Sequence, residues 1–486
     1  MRKQLPLFTD QEVQKAINLY YESNRLSLEI YDYLLRQFIE SSKDFSPISN
    51  IFGLFFHDLM IHFSGILIQR EYLRQDDLNA ALFPFVSTGY ARRPFIIDQN
   101  FYINKARKPN LLRDLWRSSG LVPLAVGEAA PFDIRDEWLK RKSLSVLGKY
   151  QPFCKAYLAN RKHQIATLCG AVSALAEKFS IPEKDRLIKN WEEYGGYHTS
   201  SDEWKIKENE VVLGTRAILQ NRKLAMNFLQ QGKEVIGITH GEITNTVFNE
   251  PLFGYAELGL CSVLIDYGER RLDAPMHEPL VKPNRVLSRT SASVKQIQKR
   301  SSSSNYVNRR SNQNGTLYIP TLYSGDFHYG PYRGFNDDLY IKWQFELIET
   351  IPDVTIKPHP KSIQPTLFTR EEKRALQRCY VDYDVIILDY YSTAATLMMA
   401  TDKPIIFFDV GLRNLTPEYN SLLKQRCHYV EIDWASDLND QIRQAINALS
   451  NDAFVEVRNN LAQFSVVSKT SENWRGIRWL PYRGVC

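Results

Sequence analysis

Apolar residues recur at helical spacing, with long polar faces between them, from about Asp10 to Arg74, and this period predicts helices. The same spacing runs through Tyr150–Phe179 and from about Glu208 to Gln231. Between these lie short, β-rich apolar runs at Phe95–Ile97, Leu121–Val126, Val235–Thr239 and Ser262–Ile265, which read as buried strands. Helices alternating with short strands predict an α/β domain carrying extra helices. Ile51–Ile68 is the most apolar stretch, yet it contains His57, Asp58, His62 and Ser64, so it reads as a buried helix and not a membrane span.

Beyond residue 315 the alternation becomes regular. Strands are predicted at Thr316–Pro320, Val354–Lys357, Val385–Leu388 and Ile405–Phe408, and helices at Asp337–Thr350, Arg370–Cys379, Ser392–Ala400, Pro417–Gln425 and Asp437–Leu449. Unbroken apolar strands are buried on both faces, which predicts a doubly wound parallel sheet. The intervening stretch is different in kind. Lys282 to Arg310 carries eight Lys and Arg, no acidic residue and the run Ser301-Ser302-Ser303-Ser304, and it reads as a solvated linker or loop. The chain thus divides into residues 1–281, a linker at 282–315, and residues 316–486.

Composition narrows the class. A chain of 486 residues suits two large domains. The formal charge of +6 is too mild to argue for nucleic acid and fits anionic substrates or the anionic inner leaflet. The 26 Tyr and 8 Trp suit cleft walls, interfaces or an aromatic-rich core. The six cysteines are dispersed and form no CxxC pair, as expected of reduced thiols in a cytosolic protein. No apolar signal core follows the N-terminus, so a cytoplasmic location is expected, with peripheral contact at the inner face of the membrane as a variant.

Ligands of doubly wound sheets bind outside the carboxyl ends of the strands. Four second-domain loops occupy that position. In Lys357-Pro358-His359-Pro360-Lys361, two prolines fix one imidazole between lysines, a set suited to a phosphate oxygen and to negative charge on a leaving group. Asp389-Tyr390-Tyr391-Ser392-Thr393 opens a helix of small residues, where backbone amides and hydroxyls favour an anion, although Ser392 or Thr393 also reads as an ordinary N-cap. Tyr323-Ser324-Gly325-Asp326 allows close backbone approach at Gly325 with a hydroxyl at Ser324, and Asp409-Val410-Gly411 is the fourth loop. Either of these two reads equally as a plain turn. In the first domain, His240, Glu242, Glu257 and Asp266 supply carboxylates and an imidazole able to deprotonate an acceptor hydroxyl or attack an anomeric carbon.

Other chemistries find no support. GxxxxGK[ST], GxGxxG after a strand and GxSxG are all missing, which argues against nucleotide hydrolysis, dinucleotide redox chemistry and the hydrolase elbow. On a helix His57 and His62 lie about 140° apart, at 3.6 residues per turn, so no metal is expected there.

The set from Thr316-Leu317-Tyr318-Ile319-Pro320 through Lys357-Pro358-His359-Pro360 to Tyr391-Ser392-Thr393 and Asp402-Lys403-Pro404-Ile405-Ile406 resembles bacterial surface-polysaccharide transferases. Within them it resembles CMP-donor GT-B enzymes: bacterial sialyltransferases, capsule and lipopolysaccharide β-Kdo transferases, and the CDP-glycerol phosphotransferase relatives. The resemblance spans roughly Val235 to Phe408. It implies a GT-B fold, two Rossmann-like α/β domains facing across a cleft, here with extra N-terminal helices. It assigns His359 and Pro360 to a His-Pro motif and Ser392 and Thr393 to a Ser-Thr motif, both holding the CMP part of the donor. The acidic-acidic-glycine motif of the sialyltransferases is not found, which leaves Kdo-like donors or CDP-polyols more open. The implied activity is glycosyl transfer from a CMP-sugar to a capsule or lipopolysaccharide glycan, free or lipid-linked, with no metal and no cofactor. A CDP-polyol phosphotransferase, a UDP-sugar transferase or epimerase, and a non-catalytic scaffold in glycan assembly are the alternatives.

Overall fold

A computed structural model describes residues 10–72, 124–125, 145–146, 155–301 and 315–466, except 183, 207–208, 215, 217–218, 240–245, 248–258, 269–279, 321–334, 359–369, 412–414, 450–460 and 462–463. Phe95–Ile97 lies outside the described residues. The architecture is two Rossmann-like α/β domains with added N-terminal helices, the class expected from the sequence.

The first domain opens with α1 (Asp10–Ser41) and α2 (Ile51–Tyr72). Strands β1 (Leu124–Ala125) and β2 (Ser145–Val146) follow, then β3 (Ala156–Tyr157), α3 (Arg161–Lys178), α4 (Lys184–His198), β4 (Thr199–Ser200), β5 (Glu210–Leu213), α5 (Leu219–Gln230), β6 (Glu234–Ile238), β7 (Val263–Tyr267) and β8 (Arg285–Arg289). Six of these strands form one parallel sheet in the order β2-β1-β5-β6-β7-β8, while β3 and β4 pair separately. Ile51, Phe52, Leu54, Phe55, Phe56, Leu59, Met60, Phe63, Ile66 and Leu67 of α2 are buried, and the helix joins α1, α3 and α4 in one core with the inner face of the sheet. No helix among the described residues is long and apolar enough to cross a membrane.

Three sequence expectations change here. The helical run expected from Glu208 is split, because Val211, Val212 and Leu213 form a buried strand before the helix begins at Leu219. The run expected from Tyr150 starts as a helix only at Arg161, after β3. The basic stretch expected to be a linker carries β8 and the helix α6 (Ala292–Ser301). Lys282, Arg285, Lys295 and Lys299 are exposed, while Val286, Val294 and Ile297 are buried, and those few apolar positions suffice to dock a strand and an amphipathic helix.

The second domain holds β9 (Thr316–Ile319), α7 (Phe335–Thr350), β10 (Thr355–Ile356), α8 (Leu376–Cys379), β11 (Val385–Leu388), α9 (Thr393–Met399), β12 (Ile405–Asp409), α10 (Pro417–Arg426), β13 (His428–Glu431) and α11 (Leu438–Asn447). Its parallel sheet runs β10-β9-β11-β12-β13. The helix expected from Arg370 is present only from Leu376. Residues before it lie alongside β10, where Ile356 N–H donates to the Arg370 carbonyl at 2.9 Å and Glu372 N–H to the Ile356 carbonyl at 2.8 Å.

The core changes at Thr290 and Ser291, since β8 completes the first sheet while Val294 and Ile297 of α6 pack in the second domain. Two further joints tie the domains. Thr416 N–H donates to the Thr246 carbonyl at 2.8 Å, beside a bridge between Val247 and Leu415. The chain also returns at Leu461–Val466. Phe464 packs on Tyr419 in the second core, while the Ser465 carbonyl accepts from Ser291 N–H at 2.8 Å. Gly268, at φ +68° just past β7, lies directly on that returning backbone.

α5 buries Gln220, Asn221, Arg222, Lys223 and Asn227, an unusual polar load for a core helix. Asn227 ties it to β3 by accepting from Tyr157 N–H at 2.9 Å and donating to the Lys155 carbonyl at 2.8 Å. Arg222 donates to the Leu54 carbonyl at 2.7 Å and pairs with Asp58. Burial, with Lys223, Lys155 and Arg222 nearby, holds His198 neutral with its pKa down at about 2, and burial plus Arg222 lowers His57 likewise. Unfolding frees both rings to protonate near pH 6.5, so their stabilisation is complete above that pH and lost as pH falls below it. Each contributes a slope of about 1.4 kcal/mol per pH unit. Urea unfolding between pH 7 and 5 should show stability falling steeply, and His198→Asn should remove one such increment of slope. A stability flat across this window would refute the assignment.

Candidate active site at the switch of the second sheet

The sheet order reverses between β9 and β11, and this is where a doubly wound sheet opens a crevice beyond its carboxyl edge. β10 and β9 end side by side there, with Lys357 N–H donating to the Tyr318 carbonyl at 2.8 Å. Lys357 and Pro358 are half-buried at the tip of β10, and the Lys357 charge reaches far enough to oppose the burial that raises the Cys379 thiol to about 11. His359 and Pro360 lie outside the described residues.

Across the crevice β11 ends at Leu388, and its tip carries Asp389, 1% exposed, which accepts a short hydrogen bond from the Tyr318 hydroxyl of β9. This pair crosslinks the two strands that flank the crevice. Next in the chain, Tyr391 is wholly buried. Its hydroxyl donates to Tyr419 and shares a 2.8 Å hydrogen bond with Thr396. Tyr391 therefore holds the turn from beneath. Ser392 stands at the N-cap of α9 with extended backbone (φ −145°), and its side chain makes no capping hydrogen bond. Ser392 and Thr393 are both half-buried at the open end. The turn is anchored behind as well: Arg426, 1% exposed, donates to the carbonyls of Met399 at 3.2 Å, Thr401 at 2.7 Å and Lys403 at 3.0 Å, which fixes the far end of α9.

The geometry thus gathers Lys357, Ser392 and Thr393 of the sequence-derived set at one edge. Ser324 and Gly325 lie outside the described residues. The fourth loop forms an ordinary turn, with Gly411 N–H donating to Asp409 at 2.9 Å and the Tyr429 hydroxyl donating to its other oxygen. Among the first-domain candidates, His240, Glu242 and Glu257 lie outside the described residues. Asp266 is 1% exposed near the carboxyl end of β7 and accepts from the Thr239 hydroxyl at 3.1 Å and from Tyr267 N–H at 3.0 Å.

Tyr318, Asp389 and Arg426 were not singled out from the sequence. A polar residue ending an unbroken apolar strand, as Asp389 does after Val385–Leu388, was the one available signal. The Tyr318 and Arg426 contacts span 71 and up to 27 residues and leave no local trace.

No protein-family model matches the chain, and no curated protein matches it. Among solved structures it is similar to the crystal structure of Acinetobacter baumannii MurG, a GT-B glycosyltransferase, with 8% identity, a TM-score of 0.31, and coverage of 72% of this chain and 88% of that one.

Proposed function

We propose that the chain is a glycosyltransferase that moves a sugar, Kdo-like by preference, from a CMP-activated donor to a bacterial surface glycan. The observation that supports this reading is that Lys357 follows β10 and Ser392 and Thr393 follow β11 on the carboxyl edge of the second sheet, either side of β9, where a nucleotide phosphate would meet a cation, hydroxyls and the first amides of α9. In this reading His359 and Lys357 neutralise the departing phosphate, which lowers the barrier as charge develops on it. Pro360 fixes the imidazole, and Ser392 and Thr393 hold the phosphate. A first-domain carboxylate, Glu242 or Glu257 with Asp266 as the third candidate, deprotonates the acceptor hydroxyl or attacks the anomeric carbon. The acceptor is a glycan or lipid-linked glycan, reached from the cytoplasmic face of the membrane.

A thermal-shift titration with CMP, CDP, UDP and GDP tests this. Ligand bound only to the native state adds about 2.7 kcal/mol at a hundredfold excess over Kd, so CMP should raise the midpoint of this 486-residue chain by roughly 3 °C. His359→Ala should abolish the shift. A response to UDP alone points instead to a UDP-sugar transferase or epimerase, and product mass separates glycosyl from polyol-phosphate transfer. No response to any nucleotide refutes the donor site.

A further inference from the structure

The first sheet also reverses its order, between β1 and β5. Beyond the carboxyl end of β5 come Gly214 and Arg216, and then α5. Arg216 is wholly buried, at 0% exposure. Its Nε donates to the Gly259 carbonyl at 3.0 Å and its Nη1 to the Gly214 carbonyl, which holds the guanidinium against the turn that opens α5. Among the described residues Nη2 has no hydrogen-bond partner and no carboxylate meets the group. Arg222, also buried and six residues on, is paired with Asp58. Of the two, Arg216 has no counter-charge among the described residues.

Its surroundings are built to admit it. The guanidinium rests on Gly237 of β6, where a Cβ would stand 2.7 Å from Nη1 and 2.8 Å from Cζ. Glycines at 214, 237 and 259 therefore surround it without side chains. The N-terminal end of α5 adds the positive pole of a 12-residue helix, and its first turn holds no acidic residue. A buried guanidinium without a counter-charge costs several kcal/mol, and so does an unsatisfied buried donor. One bound anion offsets both costs and the helix pole as well.

We propose that Arg216 and the N-terminal end of α5 form a second anion site, at the switch of the first sheet, which takes a phosphate group carried by the acceptor. The assignment to the acceptor rests on the transferase reading, while the anion site itself does not. The carboxyl edge of the sheet is the side from which ligands enter such folds. Arg216 matches a phosphate oxygen pair through its fork, which a lysine cannot reproduce.

Inorganic pyrophosphate is the probe, used on the full chain carrying His359→Ala so that the second-domain site is silent. Pyrophosphate should still raise the thermal midpoint of His359→Ala. Adding Arg216→Met should abolish the response, and adding Arg216→Lys should weaken the apparent affinity at least about tenfold, because the charge stays and the fork is lost. A response undiminished in either double variant, or no response in the His359→Ala chain, overturns the proposal. Where Arg216→Met fails to fold, the lysine variant alone decides. No nucleotide response in the unsubstituted chain, with the pyrophosphate response of the His359→Ala chain intact, sinks the transferase reading and leaves the anion site standing.

Discussion

Gly268→Ala is expected to lower stability by about 3–5 kcal/mol, the largest loss for one added methyl anywhere among the described glycines. Two costs combine. At φ +68° a Cβ is strained by roughly 1–2 kcal/mol. The methyl would also collide with the Phe464 carbonyl and come within 2.9 Å of Ser465 N, and both obstacles are backbone that cannot rotate away. Moving that backbone breaks the 2.8 Å hydrogen bond from Ser291 and shifts Phe464 off Tyr419. Gly411→Ala is the control. Its φ is +80°, yet a Cβ there meets nothing within 4 Å, so only the backbone strain remains. Denaturant unfolding of the pair separates strain from collision, and equal losses would show that the returning segment does not press on β7 as described.

Arg426→Met comes second, at about 3–4 kcal/mol, with a functional signature. The substitution keeps much of the volume but removes the guanidinium's hydrogen bonds to the carbonyls of Met399, Thr401 and Lys403, at about 1 kcal/mol or more each. Those carbonyls terminate α9 and the turn after it, and the other end of α9 carries Ser392 and Thr393. Affinity for CMP should therefore fall along with stability, although Arg426 touches no ligand. Unfolding and nucleotide titration on the same variant check both. A destabilised protein with undiminished CMP affinity would separate the anchor from the site.

The contrast between what was legible in the sequence and what was not follows burial. Val385–Leu388 and Ile405–Phe408 stand out because a strand covered on both faces reads as continuous apolar residues. β13 carries no such mark, because His428-Tyr429-Val430-Glu431 lies at the sheet edge and is only partly covered. β5 was absorbed into the helix that follows it five residues later, since Val211–Leu213 also satisfies a helical period when read as part of a longer window. β8 and α6 were hidden by their charge. Their solvated lysines and arginines dominate the composition, while the few side chains that dock them do not. At the crevice, Lys357, Ser392 and Thr393 were legible because strand ends predict where ligands meet the sheet. The Asp389–Tyr318 crosslink, the Arg426 anchor and the buried Arg216 depend on which strands become neighbours, and topology is not written in local spacing.

The return of the chain at Leu461–Val466 has a consequence for biosynthesis. Residues 464 and 465 press on Gly268 and bond to Ser291, so the first domain receives support from a segment translated almost two hundred residues after β7. At about 5–20 residues per second, a ribosome holds the first sheet without that brace for roughly ten to forty seconds. Through that interval the Gly268 surface has no cover, and a nascent chain stalled before Leu461 would present it to chaperones or to other nascent chains.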